Sequence, residues 1–144
     1  MAQLPRRLYD EIVAHALEGY PNEVCGLIAA LEGKPVQTYR VRNTAEEPRT
    51  RYVMDPQEQF DAMMDIEGRG WELYGIYHSH PSTQAYPSQT DRSLAFYPDA
   101  VYFICTLEHP DSPQVRAFHI GEEEVIEQEL EVVEDAREET EVRP

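Results

Sequence analysis

Helical and extended segments alternate along this chain, and their order limits the folds that it can adopt. Apolar residues at helical spacing predict a helix over residues 5–18 and another over 57–67. Between them, the apolar run at 25–31 and the alternating segment at 36–43 predict a β-hairpin, and a central strand follows at 72–80. Such an order is typical of an α/β domain. We therefore expect a single domain of the α/β class, with a mixed β-sheet flanked by helices.

The second half of the chain continues the same pattern. Pro81 ends the central strand, because proline cannot donate to a sheet ladder. Residues 88–97 begin like a third helix, and the apolar runs at 100–107 and 115–120 predict two more strands. At 124–133 the alternation fits an edge strand while the apolar spacing fits a helix, so both alternatives stay open.

Acidic residues dominate the composition, and they concentrate towards the C-terminal end. Twelve Lys and Arg stand against 28 Asp and Glu, which gives a formal net charge of -16. Residues 122–144 hold 11 of these acids and only two arginines. We therefore expect the folded domain to span residues 1–133 and residues 134–144 to form an acidic, flexible tail.

The negative charge and the lack of a long apolar run argue against two classes of partner. A field of this sign repels the phosphate backbone of nucleic acids and anionic membranes. No run approaches the roughly 20 apolar residues that span a bilayer, and the amphipathic N-terminal segment lacks the apolar core of a signal peptide. We expect a cytoplasmic protein that binds neither nucleic acid nor membrane.

Two properties stay open at this point, the redox state of the cysteines and the oligomeric state. Cys25 and Cys105 both lie in apolar runs, so two buried free thiols are expected, with a disulfide between them as the alternative. The sequence does not fix the oligomeric state, for which a homodimer is one option.

Two histidines lie at the end of the predicted central strand, in the stretch YHSHPSTQAYPSQTD at residues 77–91. Side chains alternate across a strand, so His78 and His80 project to one face and Ser79 projects to the other. Neutral imidazoles at this spacing suit a divalent metal such as zinc. An H-x-H pair alone is weak evidence, because one packed and one exposed histidine at a strand end give the same pattern.

The segment Ser88-Gln89-Thr90-Asp91 supplies a third candidate ligand. Serine at a helix N-cap with an acid three residues later is a variant of the capping box, which by itself explains both residues. The two interpretations are compatible, because a helix that starts at Ser88 holds Asp91 in its first turn, facing the strand end. Three protein ligands plus water is the pattern of a catalytic zinc site.

Together these residues resemble the signature of the JAMM metallopeptidases, also called MPN-plus domains. The matching pattern is H-x-H-P, six residues, then S-x-x-D, and it runs from His78 to Asp91. The family also places a glutamate after its first helix, just before a buried strand, and Glu23 in the segment PNEVCGL occupies that position. The resemblance covers residues 4 to 133 and implies a single JAMM/MPN domain. Within the family, the chain looks most like the small bacterial CysO-cysteine peptidases.

The resemblance implies a role for each residue of the signature. His78, His80 and Asp91 would hold one Zn²⁺ per chain, with water in the fourth position. Glu23 would act as the general base, and Ser88 would donate a hydrogen bond to the oxyanion. The capping hydrogen bond is expected to compete with that donation by Ser88. Composition does not select Glu23, since the chain contains many other acids.

The resemblance also implies a substrate. CysO-cysteine peptidases cut after the C-terminal Gly-Gly of a ubiquitin-like sulfur-carrier protein and release cysteine, which is a step of cysteine biosynthesis. The loop at residues 44–56 would form one wall of the groove for that tail, with Arg49, Arg51 and Tyr52 available for contacts. Two alternatives are a deubiquitinase-like isopeptidase that removes a small ubiquitin-like modifier from lysines and a non-catalytic MPN module that binds a partner.

Overall fold

The computed structural model of the protein describes residues 1–134, so nearly all of the predicted acidic tail lies outside the described residues and the domain boundary at residue 133 stays a prediction. None of the three helices in the described range could reach across a bilayer as an apolar span. In chain order the elements are β1 (Ala2–Pro5), α1 (Arg6–Gly19), β2 (Cys25–Leu31), β3 (Lys34–Val41), α2 (Pro56–Gly68), β4 (Glu72–His80), α3 (Gln89–Ser93), β5 (Val101–Thr106), β6 (Gln114–Ile120), β7 (Val125–Gln128) and β8 (Leu130–Val133).

A six-stranded sheet with the strand order β3-β2-β4-β5-β6-β7 forms the centre of the molecule. β4 pairs in parallel with β5 and antiparallel with its other neighbour, β2. The remaining strand pairs of this sheet are also antiparallel. The predicted α/β domain with a mixed sheet is therefore confirmed. β4 is an inner strand, as its apolar sequence predicted, and the two histidines lie at its C-terminal end.

The side chains of β4 alternate between two apolar cores, one on each face of the sheet. Tyr77 packs in the core that α1 covers, together with Leu8 and Ile12. Ile76 packs in the core that contains Ile66 of α2. By the same alternation, both metal-ligand candidates lie on the α2 side and Ser79 lies on the α1 side, as predicted.

The N-terminal helix begins later than its apolar spacing predicts. Leu4 is spaced as if it shared a helical face with Leu8 and Ile12, but it lies in β1, and α1 starts at Arg6. β1 pairs in parallel with β8, where Leu4 is opposite Val132. Its partner is at the far end of the described chain, so no local sequence pattern could reveal this strand.

Residues 124–133 form two strands that belong to different sheets. β7 pairs with β6 at the edge of the large sheet, and β8 pairs with β1. The chain passes between the sheets at Glu129, whose carbonyl accepts a hydrogen bond of 2.8 Å from the N–H of Ala2. The strand interpretation of this segment is confirmed and the helical alternative is wrong.

The two cysteines lie on opposite faces of the large sheet. Cys25 belongs to the α2 core and Cys105 to the α1 core, and both are free and buried. The predicted free thiols are confirmed, and the alternative of a disulfide between them is wrong because the sheet separates the two side chains.

Candidate metal centre

The end of β4 and the first turn of α3 bring three buried side chains together. His78 Nε2 lies 3.2 Å from His80 Nε2, and Asp91 Oδ2 lies 3.1 Å from the first and 3.0 Å from the second of these nitrogens. The three side chains are 1%, 5% and 4% exposed, respectively. The structure thus brings together all three residues that the sequence predicted as metal ligands.

A capping box at the start of α3 fixes Asp91. The Ser88 hydroxyl oxygen accepts a hydrogen bond of 3.0 Å from the N–H of Asp91, and Asp91 Oδ2 accepts one of 2.9 Å from the N–H of Ser88. Neither bond uses the hydroxyl proton of Ser88, since a serine hydroxyl has one donor and two acceptor lone pairs. The expected competition between capping and donation is therefore wrong: Ser88 can cap α3 and still donate its proton.

The hydrogen bond at the other nitrogen of His80 fixes the state of its ring. His80 Nδ1 lies 2.8 Å from the carbonyl oxygen of Gln84, which can only accept, so Nδ1 carries the proton. In the neutral ring, Nε2 then points a lone pair at Asp91 Oδ2, which is also an acceptor. Two acceptors at this distance repel each other unless a proton or a cation lies between them. The donor set therefore fits a cation.

The spacing of the three atoms also fits a small tetrahedral ion. Zinc bonds of about 2.0 to 2.1 Å in tetrahedral geometry separate the ligand atoms by about 3.3 to 3.4 Å, close to the 3.0 to 3.2 Å found here. Two imidazoles and one carboxylate leave a fourth position open, which is typical of catalytic sites. Within residues 1–134, no other group of three His, Cys, Asp or Glu side chains comes together in this way.

Burial and mutual contact shift the pKa values of the three side chains. Burial lowers the pKa of His78, although Asp91 opposes the shift. Burial acts on His80 in the same sense, but its hydrogen bonds with Asp91 and the Gln84 carbonyl leave its pKa raised. Burial would raise the pKa of Asp91, yet the histidines and the N–H of Ser88 hold it well below its ordinary value. Asp91 is therefore a carboxylate at neutral pH, the form that binds a cation.

Tyr52, in the loop between β3 and α2, packs against one of the three candidate metal ligands. Its ring stacks on that of His78, with centroids 4.5 Å apart and an interplanar angle of 26°. Tyr52 is only 8% exposed, and its availability to a substrate stays a prediction. The contact that the structure gives its ring is with a candidate metal ligand.

Glu23, between α1 and β2, reaches the same centre. It is 5% exposed and lines a cavity of about 160 Å³ together with His80 and Ser88. Its buried Oε1 has no hydrogen-bond partner within residues 1–134. Burial raises the pKa of Glu23 to about 8; His80 opposes this shift and Asp91 adds to it. A carboxylate with a pKa near neutrality can take up and return a proton, as a general base must.

Asn43 fixes the backbone next to Glu23, a contact that the sequence did not predict. Its Nδ2 donates to the carbonyl oxygens of Glu23 and Arg51, and its Oδ1 accepts from the N–H groups of Ala45 and Val53, all at 3.0 Å. The amide therefore uses its full hydrogen-bonding capacity to hold the loop against the Glu23 backbone. The only sequence signal was an asparagine, a common turn residue, at the end of the segment predicted as a strand.

Ser79, on the opposite face of the sheet, connects the histidine strand with the segment that carries Glu23. Its hydroxyl accepts a hydrogen bond of 2.9 Å from the N–H of Val24, and its own N–H donates to the carbonyl of Val24 at 3.1 Å. The residue between the two histidines thereby holds the residue that follows Glu23. Strand alternation predicted the direction of Ser79 but not this partner.

Comparisons with known proteins agree over most of the chain. The sequence profile of the prokaryotic homologs of the JAB domain matches residues 5–121. A protein named desampylase from Haloferax volcanii is 42% identical over 103 residues, which cover 67% of this chain and 74% of that protein. The CysO-cysteine peptidase of Mycobacterium tuberculosis is 36% identical over 129 residues, which cover 88% of each chain.

A solved structure supports the same assignment. The solution structure of protein DSY2949 from Desulfitobacterium hafniense superimposes with a TM-score of 0.84 at 36% identity, and the match covers 94% of each chain. The resemblance found in the sequence is confirmed by these matches. The chain belongs to the prokaryotic homologs of the JAB domain and is a peptidase of the JAMM type.

Proposed function

We propose that this peptidase depends on zinc, cleaves after the C-terminal Gly-Gly of a ubiquitin-like sulfur-carrier protein, and releases cysteine in the cytoplasm. The observation that carries the zinc site is the pair of facing acceptors, His80 Nε2 and Asp91 Oδ2, which a cation would bridge. The substrate is supported by the CysO-cysteine peptidase of M. tuberculosis, which matches this chain over 88% of both lengths.

In this proposal each side chain of the centre has one task. His78, His80 and Asp91 would hold a Zn²⁺ ion, which would act as a Lewis acid and make water nucleophilic at neutral pH. Glu23 takes the proton of the attacking water and passes it to the leaving amine. Ser88 donates its free hydroxyl proton to the oxyanion at the glycine carbonyl, a type of contact worth about 2.7 to 4 kcal/mol.

The common cavity supports this division of tasks. Glu23, Ser88 and His80 line one space, so the candidate base, the candidate oxyanion donor and one candidate ligand residue border the place where the reacting group would lie. Hydrolysis consumes one water, breaks the C–N bond after the second glycine, and leaves a carboxylate on the carrier and an amine on the product. The buried Oε1 of Glu23, which has no hydrogen-bond partner within residues 1–134, and the raised pKa of this side chain suit the transfer of a proton in this space.

A second candidate uses the same chemistry on a different bond. The 42% identity to a protein named desampylase supports an isopeptidase that removes a ubiquitin-like modifier from protein lysines. The residues of the centre do not distinguish the two candidates, because both substrates present a glycine carbonyl to the same groups. Only the leaving amine differs.

Intact-mass spectrometry of cleaved carriers tests the proposal. A panel of Gly-Gly-ended ubiquitin-like carriers, each made with a C-terminal cysteine or with a lysine-linked peptide, is incubated with the zinc-loaded protein. The controls are a chelator-treated sample and the Glu23→Gln variant, which should retain zinc and lose at least about a hundredfold in turnover. We expect chelator-sensitive loss of cysteine alone.

The other outcomes of this experiment are equally informative. Release of only the lysine-linked peptide would replace the proposal with the isopeptidase. Zinc binding without cleavage of any carrier would favour the non-catalytic module and contradict the proposal. Near-normal turnover by Glu23→Gln would remove the base assignment alone.

A further inference from the structure

Arg49 lies in the wall of the cavity that contains the candidate catalytic groups. It lines this space of about 160 Å³ together with Glu23, His80 and Ser88. The volume is well below the roughly 300 to 1,000 Å³ of sites for drug-sized ligands. The space therefore suits one small residue next to the reacting bond rather than a folded partner.

The backbone on both sides of Arg49 is fixed to the centre. The carbonyl of Pro48 accepts a hydrogen bond of 2.7 Å from the N–H of Glu23. Two residues later, the carbonyl of Arg51 accepts one of 3.0 Å from Asn43, whose amide also holds the carbonyl of Glu23. These hydrogen bonds thus fix the backbone position of Arg49 relative to Glu23.

The charge around Arg49 suits an anionic ligand. No carboxylate within residues 1–134 pairs with it, although acids outnumber bases more than two to one in the chain. Guanidinium groups bind carboxylates with two parallel N–H donors. Five other arginines of the described chain form ion pairs with acids: Arg6, Arg40, Arg42, Arg69 and Arg116. Two of them, Arg40 and Arg116, do so with two donors.

The proposed substrate carries one anionic group close to the scissile bond. The Gly-Gly tail has no side chains, whereas a C-terminal cysteine carries its α-carboxylate within the residue that leaves. A lysine linked through its side chain has no carboxylate at this position.

We propose that Arg49 forms a binding site for the α-carboxylate of the released amino acid, so that the peptidase prefers substrates whose C-terminal carboxylate is free. This inference rests on the proposed function and specifies which leaving groups the enzyme would accept. The covalent chemistry is unchanged: water adds to the glycine carbonyl, the C–N bond breaks, and the α-carboxylate leaves intact with the amine.

Two forms of one carrier test the inference, with the C-terminal cysteine either as the free acid or as the amide. We expect the wild type to prefer the acid by about tenfold in kcat/KM, the contribution of one hydrogen-bonded charged group. Arg49→Ala should remove this preference by slowing only the acid, and Arg49→Lys should keep part of it. Arg92→Ala is the matched control, an exposed arginine that lines a different cavity, and it should keep the full preference.

Equal rates on the acid and the amide in the wild type would overturn the inference and leave the proposed function standing. The same conclusion would follow if Arg49→Ala slowed both forms equally. Cleavage of neither cysteine form, with or without cleavage of a lysine-linked conjugate, would remove the proposed function itself and the carboxylate site with it.

Discussion

The ring of Tyr52 stacks on the ring of His78, at a centroid distance of 4.5 Å. The second nitrogen of His80 is oriented by a hydrogen bond to the Gln84 carbonyl, but His78 Nδ1 is buried and has no hydrogen-bond partner within residues 1–134. On the side of the ring away from the other two candidate ligands, the aromatic stack therefore supports His78 in place of such a hydrogen bond. In many metal sites a hydrogen bond to the second ring nitrogen has this role.

Tyr52→Ala should weaken zinc binding by about tenfold. Loss of a residue that supports a metal ligand lowers metal affinity by about ten- to a hundredfold, and tenfold is the lower end of that range. The substitution leaves His78 free to rotate about its side-chain bonds, whereas Tyr52→Phe keeps the ring and should bind zinc as the wild type does. Competition with a chromophoric chelator measures both affinities. An unchanged affinity in Tyr52→Ala would show that packing of β4 alone orients His78.

The parts of this centre that could be predicted are those with a local cause. Strand alternation placed His78 and His80 on one face, and the capping spacing placed Asp91 at the start of a helix. Tyr52 and Asn43 could not be predicted in the same way, because they act from an irregular loop whose contacts depend on tertiary structure. No period or spacing within residues 44–56 distinguishes the side chain that packs inward from those that face solvent.

The same distinction holds for the fold. The hairpin of β2 and β3 and the helices α1 and α2 have local patterns, and the structure confirms them. β1 was missed because Leu4 fits the helical spacing of α1 and the strand exists only through its pairing with β8. Residues 88–97 begin like a helix in the sequence, but α3 ends at Ser93. The capping pattern thus predicted where the helix starts and not where it ends.

Asn43→Ala should lower kcat by about ten- to a hundredfold, since a misplacement of about 1 Å at a catalytic group has effects of this size. The variant loses the two bonds to carbonyl oxygens and the two bonds from N–H groups that fix the loop beside Glu23. Asn43→Asp should behave similarly, because it turns a carboxylate oxygen towards the two carbonyl oxygens. Steady-state kinetics on a cleaved carrier measure the effect.

Thr44→Val is the matched control for this prediction. It removes one side-chain hydrogen bond to the carbonyl of Val53, of 3.1 Å, while the backbone bond from Thr44 to the same carbonyl stays. We expect near-normal kcat for this variant. A normal kcat in Asn43→Ala as well would mean that Ser79 and Pro48 suffice to position Glu23.

His15 should make the protein less stable as the pH falls from about 6.5 to about 4. The side chain lies 2.7 Å from the Tyr77 hydroxyl, and burial, with Arg40, lowers the pKa of His15 to about 4. The unfolded chain, with its ordinary pKa near 6.5, therefore takes up a proton that the folded protein does not. Stability contributed by neutral His15 is complete above pH 6.5 and is lost on acidification through this window.

Denaturant unfolding of the wild type and His15→Gln at pH 7 and pH 4.5 checks this prediction. Because glutamine does not titrate, the wild type should lose more free energy of unfolding between the two pH values than the variant. Acid release of a bound metal affects both proteins equally and cancels in the difference. Equal losses would mean that the His15 pKa in the folded protein is close to that of the unfolded chain.

Ser88→Gly should separate the two functions of the serine hydroxyl. Glycine is almost as good an N-cap as serine, so the melting temperature should change little, since the cost of this replacement is a few tenths of a kcal/mol. The oxyanion donor is lost, so kcat should fall by about a hundred- to a thousandfold.

Ser88→Thr keeps a hydroxyl that can accept from the N–H of Asp91 and still donate its proton, so it should retain both stability and most of the activity. Thermal unfolding and kcat measured on the same preparations decide between the roles. If Ser88→Gly kept normal turnover, the hydroxyl would serve α3 alone; if it lost zinc as well as turnover, the capping box would act mainly by holding Asp91 in place as a ligand.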